Sequence, residues 1–266
     1  MAHASQVDHP LVREALALLG IEGGIEITSI ADIPARGTGL GSSSAFTVGL
    51  LNALHAYRGC YASAARLAEE SCHIEIERCG EPIGKQDQYA DAFGGFNFMR
   101  FHPDDTVTVD KVICPPAVLA ELQTRLLFFY TGLTRSASAL LQQQAAELAT
   151  SSTTAAAMGE MVRLAEAAYA DLCATNIDTL GKYVHDAWQI KKRLTTGITN
   201  TLIDEAYQAA IDAGAEGGKV LGAGGGGFLM FLAPPSRHEA IRRALQHLRE
   251  TPFHFAPQGS RIIFVH

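Results

Sequence analysis

The sequence predicts an α+β protein, with helices and strands in separate stretches rather than in regular alternation. Helical spacing of apolar residues dominates both halves, strand-like segments are few, and a strand–helix–strand pattern follows the helix-rich stretches. The chain has 266 residues, 47 % of them hydrophobic and 18 % charged, which is enough for a large core. Because the composition shifts at Pro115 and Pro116, we predict one domain over residues 1–115 and a second over 116–266.

The first half is predicted to contain a strand, two helices and a hairpin. Residues 24–30 (GIEITSI) alternate as a strand does, and an apolar helix follows from Ala45 to Tyr57. A second helix is predicted over residues 63–80, where Gly80 and Pro82 end it. The segments GGFNFMRFH and TVTVDKVI then predict two strands of a hairpin, with HPDD at the turn.

The second half is predicted to be mostly helical. It begins with a helix or turn at PAVLAEL and a strand over residues 125–132. Four helices follow, over residues 136–148, 155–175, 177–194 and 201–213. A strand over 228–234, a helix over 237–250 and a last strand over 261–265 complete the prediction.

Charge and cysteine content exclude several classes of protein. The net charge of −7 gives no general attraction to nucleic acid or to anionic membranes. The first residues, MAHASQVDHP, lack the features of a signal peptide, and the most apolar stretch, 220–235, is too short and glycine-rich to span a bilayer. The five cysteines show no disulfide framework. We therefore expect a soluble, cytoplasmic protein.

Residues 37–46 (GTGLGSSSAF) combine glycines with hydroxyls directly before the first apolar helix. Glycines let a backbone take positive φ and approach a ligand closely, and a helix N-terminus presents unpaired N–H groups. Together these features predict a phosphate site. The alternative is an ordinary capped turn leading into a core helix, and the spacing alone leaves both interpretations open.

A second glycine cluster, GAGGGG at residues 222–227, formally satisfies the dinucleotide motif G-x-G-x-x-G. That motif must open a helix, whereas this cluster opens onto the short apolar segment FLMFLAP, which is strand-like. We therefore disfavour dinucleotide binding. The remaining interpretation is a glycine turn packed tightly against another element.

The run Gly84-Lys85-Gln86-Asp87-Gln88 follows a helix stop and is unusual for a plain loop. On an extended segment Lys85 and Asp87 would face the same side, and the lysine would keep the carboxylate ionised. The alternative is a solvated ion pair on a loop. The nearby Cys72, His73 and Cys79 match no zinc spacing, and no hydrolase or P-loop motif occurs in the sequence.

Taken in this order, the three elements resemble the GHMP kinases. Pro34 precedes Gly39-Leu-Gly-Ser-Ser-Ser-Ala45, which is similar to the central motif of that family; Lys219 to Phe228 resembles its third motif, and the run at 84–88 resembles its catalytic aspartate segment. Within the family the likeness is strongest to kinases acting on D-glycero-D-manno-heptose 7-phosphate. The family's first motif, an N-terminal strand with a glycine run and an aspartate, has no match here, and by family standards the chain starts late.

The resemblance implies a two-domain fold, with a shortened N-terminal α/β domain and a ferredoxin-like C-terminal domain, that binds ATP and Mg²⁺. It implies phosphorylation of the anomeric hydroxyl, giving the 1,7-bisphosphate; the alternative is an impaired nucleotide or sugar binder. We expect neither nucleic acid nor membrane as a partner, and the oligomeric state stays open. The implied roles are ATP binding by Gly37, Gly39, Leu40, Gly41, Ser42, Ser43 and Ser44; metal binding by Ser43 and Glu75; catalysis by Asp87 and Lys85; and cleft lining by Gly224, Gly225, Gly226, Gly227 and, more weakly, Thr134, Arg135 and Ser136.

Overall fold

The computed structural model describes residues 3–31, 39–133 and 137–264. Their contacts divide them into two compact units. The first unit contains residues 3–31, 41–109 and 256–264, and the second contains 39–40, 110–133 and 137–255. Residues 39–40 thus belong to the second unit, and residues 256–264 belong to the first. The predicted domain boundary at residues 115–116 stays a prediction.

The first unit is built mainly from helices. They are a short 3₁₀ turn at Ala4–Gln6, α1 (Pro10–Leu18), α2 (Ser42–Tyr57), α3 (Ala64–Cys72) with a π-helical continuation at His73–Arg78, and α4 (Gln86–Phe93). Val48, Leu51 and Leu54 of α2 are fully buried in one apolar core together with Leu67 and Ile74. The apolar spacing that predicted the helices over 45–57 and 63–80 is therefore the spacing of this core.

The predicted hairpin is confirmed. Strand β1 (Asn97–Phe101) pairs with β2 (Val107–Lys111), and the amide of His102 donates to the carbonyl of Thr106 at the turn. The predicted strands at 24–30 and 261–265 are wrong as far as the structure describes them: residues 24–30 and 261–264 belong to neither sheet. Ile30 and Ile263 are about nine-tenths exposed. Alternation gives a segment the ability to pair, but a strand also requires a neighbouring edge.

The second unit contains a four-stranded antiparallel sheet. Its strands are β3 (Leu126–Tyr130), β4 (Gly217–Val220), β5 (Phe228–Leu232) and β6 (Arg249–Glu250), in the spatial order β4-β5-β3-β6. The helices are α5 (Pro116–Arg125), α6 (Ala137–Thr150), α7 (Ser152–Cys173), α8 (Leu180–Lys191), α9 (Thr201–Asp212) and α10 (His238–Ala244), with a 3₁₀ turn at Pro235–Arg237. Strand–helices–strand–strand–helix–strand in this order is the split βαβ arrangement of ferredoxin-like folds, which confirms the predicted α+β class.

One face of this sheet carries the core of the second unit. Phe129 lies opposite Leu229 in the antiparallel register, and both pack in a buried cluster with Trp188 of α8 and Ile203 of α9. The predicted helix over 237–250 ends early, at Ala244. The chain can then pair β6 with the edge of β3, because Arg249 and Glu250 lie opposite Tyr130 and Phe129.

Two further features bear on the predicted class of protein. Within the described ranges, none of the helices combines the length and apolar character that crossing a bilayer requires. All five cysteines are free thiols.

Candidate functional site

The first turn of α2 is formed by a glycine followed by three serines. We call Gly41–Ser44 the serine turn. Gly41 is the N-cap residue and has the left-handed backbone of φ 68°, a conformation that glycine adopts without strain. Having no side chain, it makes no capping hydrogen bond, so the first amides of a 16-residue helix are left to other acceptors. Such a helix start favours an anion such as a phosphate.

Glu75 approaches the serine turn from the π-helical continuation of α3. The widened turn is visible in the hydrogen bond from the Cys79 amide to the carbonyl of Ile74, five residues back. Single π turns inside α-helices occur often at functional sites. Although it is a carboxylate, Glu75 is only 1 % exposed.

The buried carboxylate of Glu75 is held by side chains from two other helices. Its Oε2 accepts a hydrogen bond of 2.8 Å from Ser44 Oγ of α2 and one of 2.5 Å from Gln88 Nε2 of α4. Ser43 and Thr47 contribute further side-chain hydrogen bonds. Burial raises the pKa of Glu75, while these hydrogen bonds oppose that rise because they favour the charged form.

The oxygen donors at this position fit a hard divalent cation. Glu75 offers a carboxylate and Ser43 a hydroxyl, and the buried Oε1 of Gln88 has no hydrogen-bond partner. Among the described residues no group of three His, Cys, Asp or Glu side chains forms a ready-made metal cage. Mg²⁺ characteristically uses one or two protein carboxylates and takes its remaining ligands from phosphates and water, so these donors are sufficient.

Asp87 lies directly beside the serine turn. It stands in the first turn of α4, and a Cβ built on Gly41 would lie 3.2 Å from both Cβ and Cγ of Asp87. Any other residue at position 41 would need a strained positive φ and would push Asp87 by a few tenths of an ångström. Gln86 donates to Asp87 Oδ1 at 3.3 Å. The structure thus brings the predicted catalytic aspartate to the predicted phosphate site.

Lys85 is placed differently from our expectation. The segment is not extended: α4 begins at Gln86, and two residues that are two apart on a helix do not face the same side. The ammonium of Lys85 pairs instead with Asp105 at the hairpin turn, at 2.9 Å from Oδ1 and 3.0 Å from the carbonyl oxygen. The extended conformation that we expected for this segment is therefore wrong, and the catalytic role of Lys85 stays a prediction.

Asp91, one turn after Asp87 on α4, was not identified from the sequence. Its Oδ2 is buried without a hydrogen-bond partner. Burial and, to a smaller extent, the negative charges of Asp87 and Glu75 together raise the pKa of Asp91 to about 7. The carboxylates of Asp87 and Glu75 thus act electrostatically on Asp91.

The end of the chain braces α4 against α2. The amide of Ser260 donates to the carbonyl of Asp91, and Asn52 of α2 donates to Ser260 Oγ at 3.0 Å. The backbones approach so closely that a Cβ on Gly94 or Gly259 would overlap main-chain atoms of the other segment. Residues 257–260 therefore position the helices that carry the site.

The glycine-rich residues 221–227, which we call the glycine loop, connect the antiparallel strands β4 and β5. A strand on each side excludes the strand–loop–helix arrangement of a dinucleotide motif, as the sequence predicted. A Cβ on Gly222 would lie 2.7 Å from Gly39 Cα, and one on Gly39 would lie 2.5 Å from the carbonyl oxygen of Leu221. The backbone of Gly39 therefore packs directly against the glycine loop, and Gly39 and Leu40 belong to the second unit.

Backbone contacts also fix the rest of the glycine loop. The amide of Gly225 donates to the carbonyl of Ile198, and the amide of Gly227 donates to that of Leu133. Gly224 has a φ of 112°, and a Cβ on Gly226 would lie 2.8 Å from the Leu133 carbonyl oxygen. This is the tight glycine packing that the sequence allowed. Of the remaining predicted site residues, Gly37, Thr134, Arg135 and Ser136 lie outside the described residues.

Four side chains of the site were missed at the sequence level: Ser44 as a partner of Glu75, Thr47, Gln88 and Asp91. Ser44 and Gln88 belonged to segments that we had singled out, so composition drew attention to the right places. The hydrogen bonds join residues 31 and 13 positions apart, and local spacing carries no signal for such pairs.

Comparison with known protein families gives two matches along the chain. Residues 10–95 match the N-terminal domain of the GHMP kinases, and residues 168–249 match the GHMP kinase C-terminal domain. The first match includes the serine turn, Glu75 and Asp87, and the second includes the glycine loop.

Individual relatives are similar over most of this chain. The D-glycero-alpha-D-manno-heptose 7-phosphate kinase of Campylobacter jejuni is 32 % identical over 81 % of this chain, which spans 63 % of that protein's length. The structure is similar to a D-glycero-D-manno-heptose 1-phosphate kinase from Bacteroides thetaiotaomicron (28 % identity, TM-score 0.69, covering 94 % of this chain and 71 % of that one). It also shares its fold with Lactococcus lactis galactokinase (17 % identity, TM-score 0.70, covering 96 % and 76 %).

Proposed function

Because this chain belongs to the GHMP kinases, a family of phosphotransferases, we propose that it transfers the γ-phosphoryl group of ATP to a hydroxyl group of a sugar phosphate. One observation carries the proposal: the buried Glu75 and the helix-borne Asp87 both meet the serine turn. Phosphoryl transfer depends on positioning and on charge neutralisation, and this arrangement supplies groups for both.

The serine turn is the proposed binding place of the ATP phosphates. Its first amides lie at the positive end of α2, and the hydroxyls of Ser42 and Ser43 add donors there. Ser43 and Glu75 are the proposed ligands of Mg²⁺. When bound, this ion supplies positive charge to the phosphate oxygens as negative charge develops on them.

Asp87 is the proposed catalytic residue. In this role the Asp87 carboxylate accepts the proton of the acceptor hydroxyl, or orients that hydroxyl, as its oxygen attacks the γ-phosphorus. Its position against Gly41 supports this role, because the carboxylate then lies at the edge of the proposed phosphate site. Lys85 has an indirect role in this scheme. By pairing with Asp105 it holds the start of α4 against the hairpin turn and contributes positive charge near Asp87.

The proposed acceptor is the anomeric hydroxyl of D-glycero-D-manno-heptose 7-phosphate, with the 1,7-bisphosphate as product. The name of the Campylobacter relative supports a 7-phosphate substrate, whereas the name of the Bacteroides relative places the phosphate at position 1. Because the two names differ, an assay must compare acceptors that carry the existing phosphate at position 7 and at position 1.

The test is ATP turnover by the purified chain with four acceptors: heptose 7-phosphate, heptose 1-phosphate, galactose and mevalonate. We expect turnover with heptose 7-phosphate and a product with phosphates on positions 1 and 7 by ³¹P NMR. Turnover with galactose or mevalonate alone would overturn the substrate assignment. Binding of ATP by calorimetry without turnover of any acceptor would favour the alternative, a nucleotide or sugar binder.

Glu75→Gln tests the metal assignment in the same assay. The variant keeps the shape and loses the charge, so we expect at least about 100-fold weaker Mg²⁺-dependent turnover, with the metal's charge contribution lost. Glu69→Gln, a change of the same kind on an exposed position of α3, is the control. An unchanged Mg²⁺ dependence in Glu75→Gln would contradict the assignment.

A further inference from the structure

We propose that Gln88 and Ser44 are positioning residues that hold one oxygen of the Glu75 carboxylate and so present the other to the divalent cation. This inference rests on the proposed function, since it takes Glu75 as a metal ligand. It assigns a task to two side chains that the reaction scheme above does not use.

The Glu75 carboxylate is held through one of its two oxygens. Both short hydrogen bonds to Glu75 end on the same atom, Oε2, at 2.8 Å from Ser44 Oγ and 2.5 Å from Gln88 Nε2. The donors come from α2 and α4, whereas Glu75 belongs to the continuation of α3. With Oε2 held from two helices, the carboxylate cannot rotate freely, and Oε1 carries neither of these two bonds.

Both donors to this carboxylate are buried. Gln88 is fully buried and Ser44 is 1 % exposed, so neither donor exchanges its bond with bulk water. Hydrogen bonds to a charged group are stronger than neutral ones, and a buried carboxylate without donors is costly. The pair therefore keeps a negative charge in place at a position where burial alone disfavours it.

The carbonyl oxygen of the Gln88 amide has no partner of its own. Gln88 Oε1 is buried and makes no hydrogen bond. Buried amide oxygens are rarely left without a partner, and one that lies beside a metal-binding carboxylate is explained by a partner that arrives with the ligand.

The test uses Gln88→Met, which keeps length and volume and removes the donor. We expect about tenfold weaker binding of Mn²⁺, measured by electron paramagnetic resonance in the presence of ADP, as one hydrogen bond to a charged group is lost. Binding of ADP without metal, measured by calorimetry, stays unchanged. In turnover, the KM for Mg²⁺ rises while kcat at saturating Mg²⁺ stays close to the wild-type value.

Gln208→Met is the matched control, because exposed Gln208 also donates its amide to a carboxylate one turn away on a helix, Asp212, at 2.8 Å. It should bind Mn²⁺ as the wild type does. Ser44→Ala removes the second donor and should weaken Mn²⁺ binding in the same direction. If Gln88→Met does not fold, as judged by circular dichroism, Ser44→Ala decides the question.

Equal Mn²⁺ affinity in the wild type and in the folded Gln88→Met or Ser44→Ala protein would overturn the inference. Glu75→Gln separates this failure from that of the proposed function. If Glu75→Gln loses Mn²⁺ binding while the positioning variants keep it, only the positioning role is wrong. If Glu75→Gln itself binds Mn²⁺ normally, the metal site is wrong as well.

Discussion

The serine turn and the glycine loop both depend on glycine but form different structures. The serine turn opens a 16-residue helix, and its side chains meet a buried carboxylate, Glu75. The glycine loop joins two antiparallel strands and is held by main-chain hydrogen bonds to Ile198 and Leu133. Glycine supplies an unusual backbone in both regions. The serine turn meets the carboxylates of Glu75 and Asp87, whereas the glycine loop receives side-chain hydrogen bonds on its main-chain carbonyls.

The difference indicates where substitutions should act. Changes around the serine turn remove charges or donors and should alter chemistry more than folding. Changes in the glycine loop add atoms where two backbones already touch, so they should alter stability as well as activity. The following predictions test this contrast, from the largest expected effect to the smallest.

Asp87→Asn should lower kcat by about 10²- to 10⁴-fold, the usual contribution of a general base. The side chain keeps its shape, so the midpoint of thermal unfolding and the affinity for ATP should change little. Steady-state kinetics with the proposed acceptor measure the effect, and Asp212→Asn, at an exposed position of α9, is the control. Full turnover by Asp87→Asn would show that the serine turn and its neighbours carry no catalytic base.

Gly222→Ala should lower the free energy of unfolding by about 2–4 kcal/mol, because the new Cβ meets Gly39 Cα and the backbone has positive φ. Gly59→Ala is a closely matched control: both glycines have a φ of 69°, but nothing lies within 4 Å of a Cβ on Gly59. Urea unfolding of both variants therefore separates crowding from backbone strain. Equal losses in the two proteins would mean that the contact with Gly39 contributes nothing.

Asp91→Asn should stabilise the protein at high pH. Burial raises the pKa of Asp91 to about 7 in the folded chain, so the stability that its protonated form contributes is present below about pH 4 and is lost as the pH rises through 7. The asparagine does not titrate, and we expect it to gain about 1–3 kcal/mol at pH 8 relative to the wild type, one pKa unit being about 1.4 kcal/mol.

The gain from Asp91→Asn should shrink toward pH 4 in urea unfolding measured across this range. A difference that is constant with pH would show that Asp91 titrates normally in the folded protein. Together with Gly222→Ala, the result distinguishes a region whose stability is lowered by a buried charge from one whose stability depends on close backbone packing.

Asn200→Ala should cost about 1 kcal/mol of stability, a typical loss for a helix N-cap. Asn200 accepts from the amide of Ile203 at the start of α9 and donates to the carbonyl of Gly225 at 3.2 Å. Ser63→Ala, which removes the N-cap of α3 without a contact to the glycine loop, is the control. If the cap also positions the loop, Asn200→Ala should reduce turnover more than Ser63→Ala does; equal turnover would limit Asn200 to its cap.

Much of the fold followed from local patterns. Apolar spacing predicted α2, α3 with its continuation, and most helices of the second unit. The spacing is informative because each of these helices buries one stripe of side chains. Alternation predicted the β1–β2 hairpin and strands β3 and β5. The same alternation failed at residues 24–30 and 261–264, because pairing depends on a neighbouring strand that the segment itself does not encode.

The sequence by itself determined the glycine and serine motifs, the family they resemble and the prediction that Glu75 and Asp87 lie near a phosphate site. Only the tertiary structure decided the partners of these residues: Ser44 and Gln88 for Glu75, Gly41 for Asp87, and Asp105 for Lys85. The physical reason is range. Helix periodicity and backbone conformation are set by neighbours a few positions away, whereas a buried carboxylate takes its donors from whichever helices the packing of the core brings beside it.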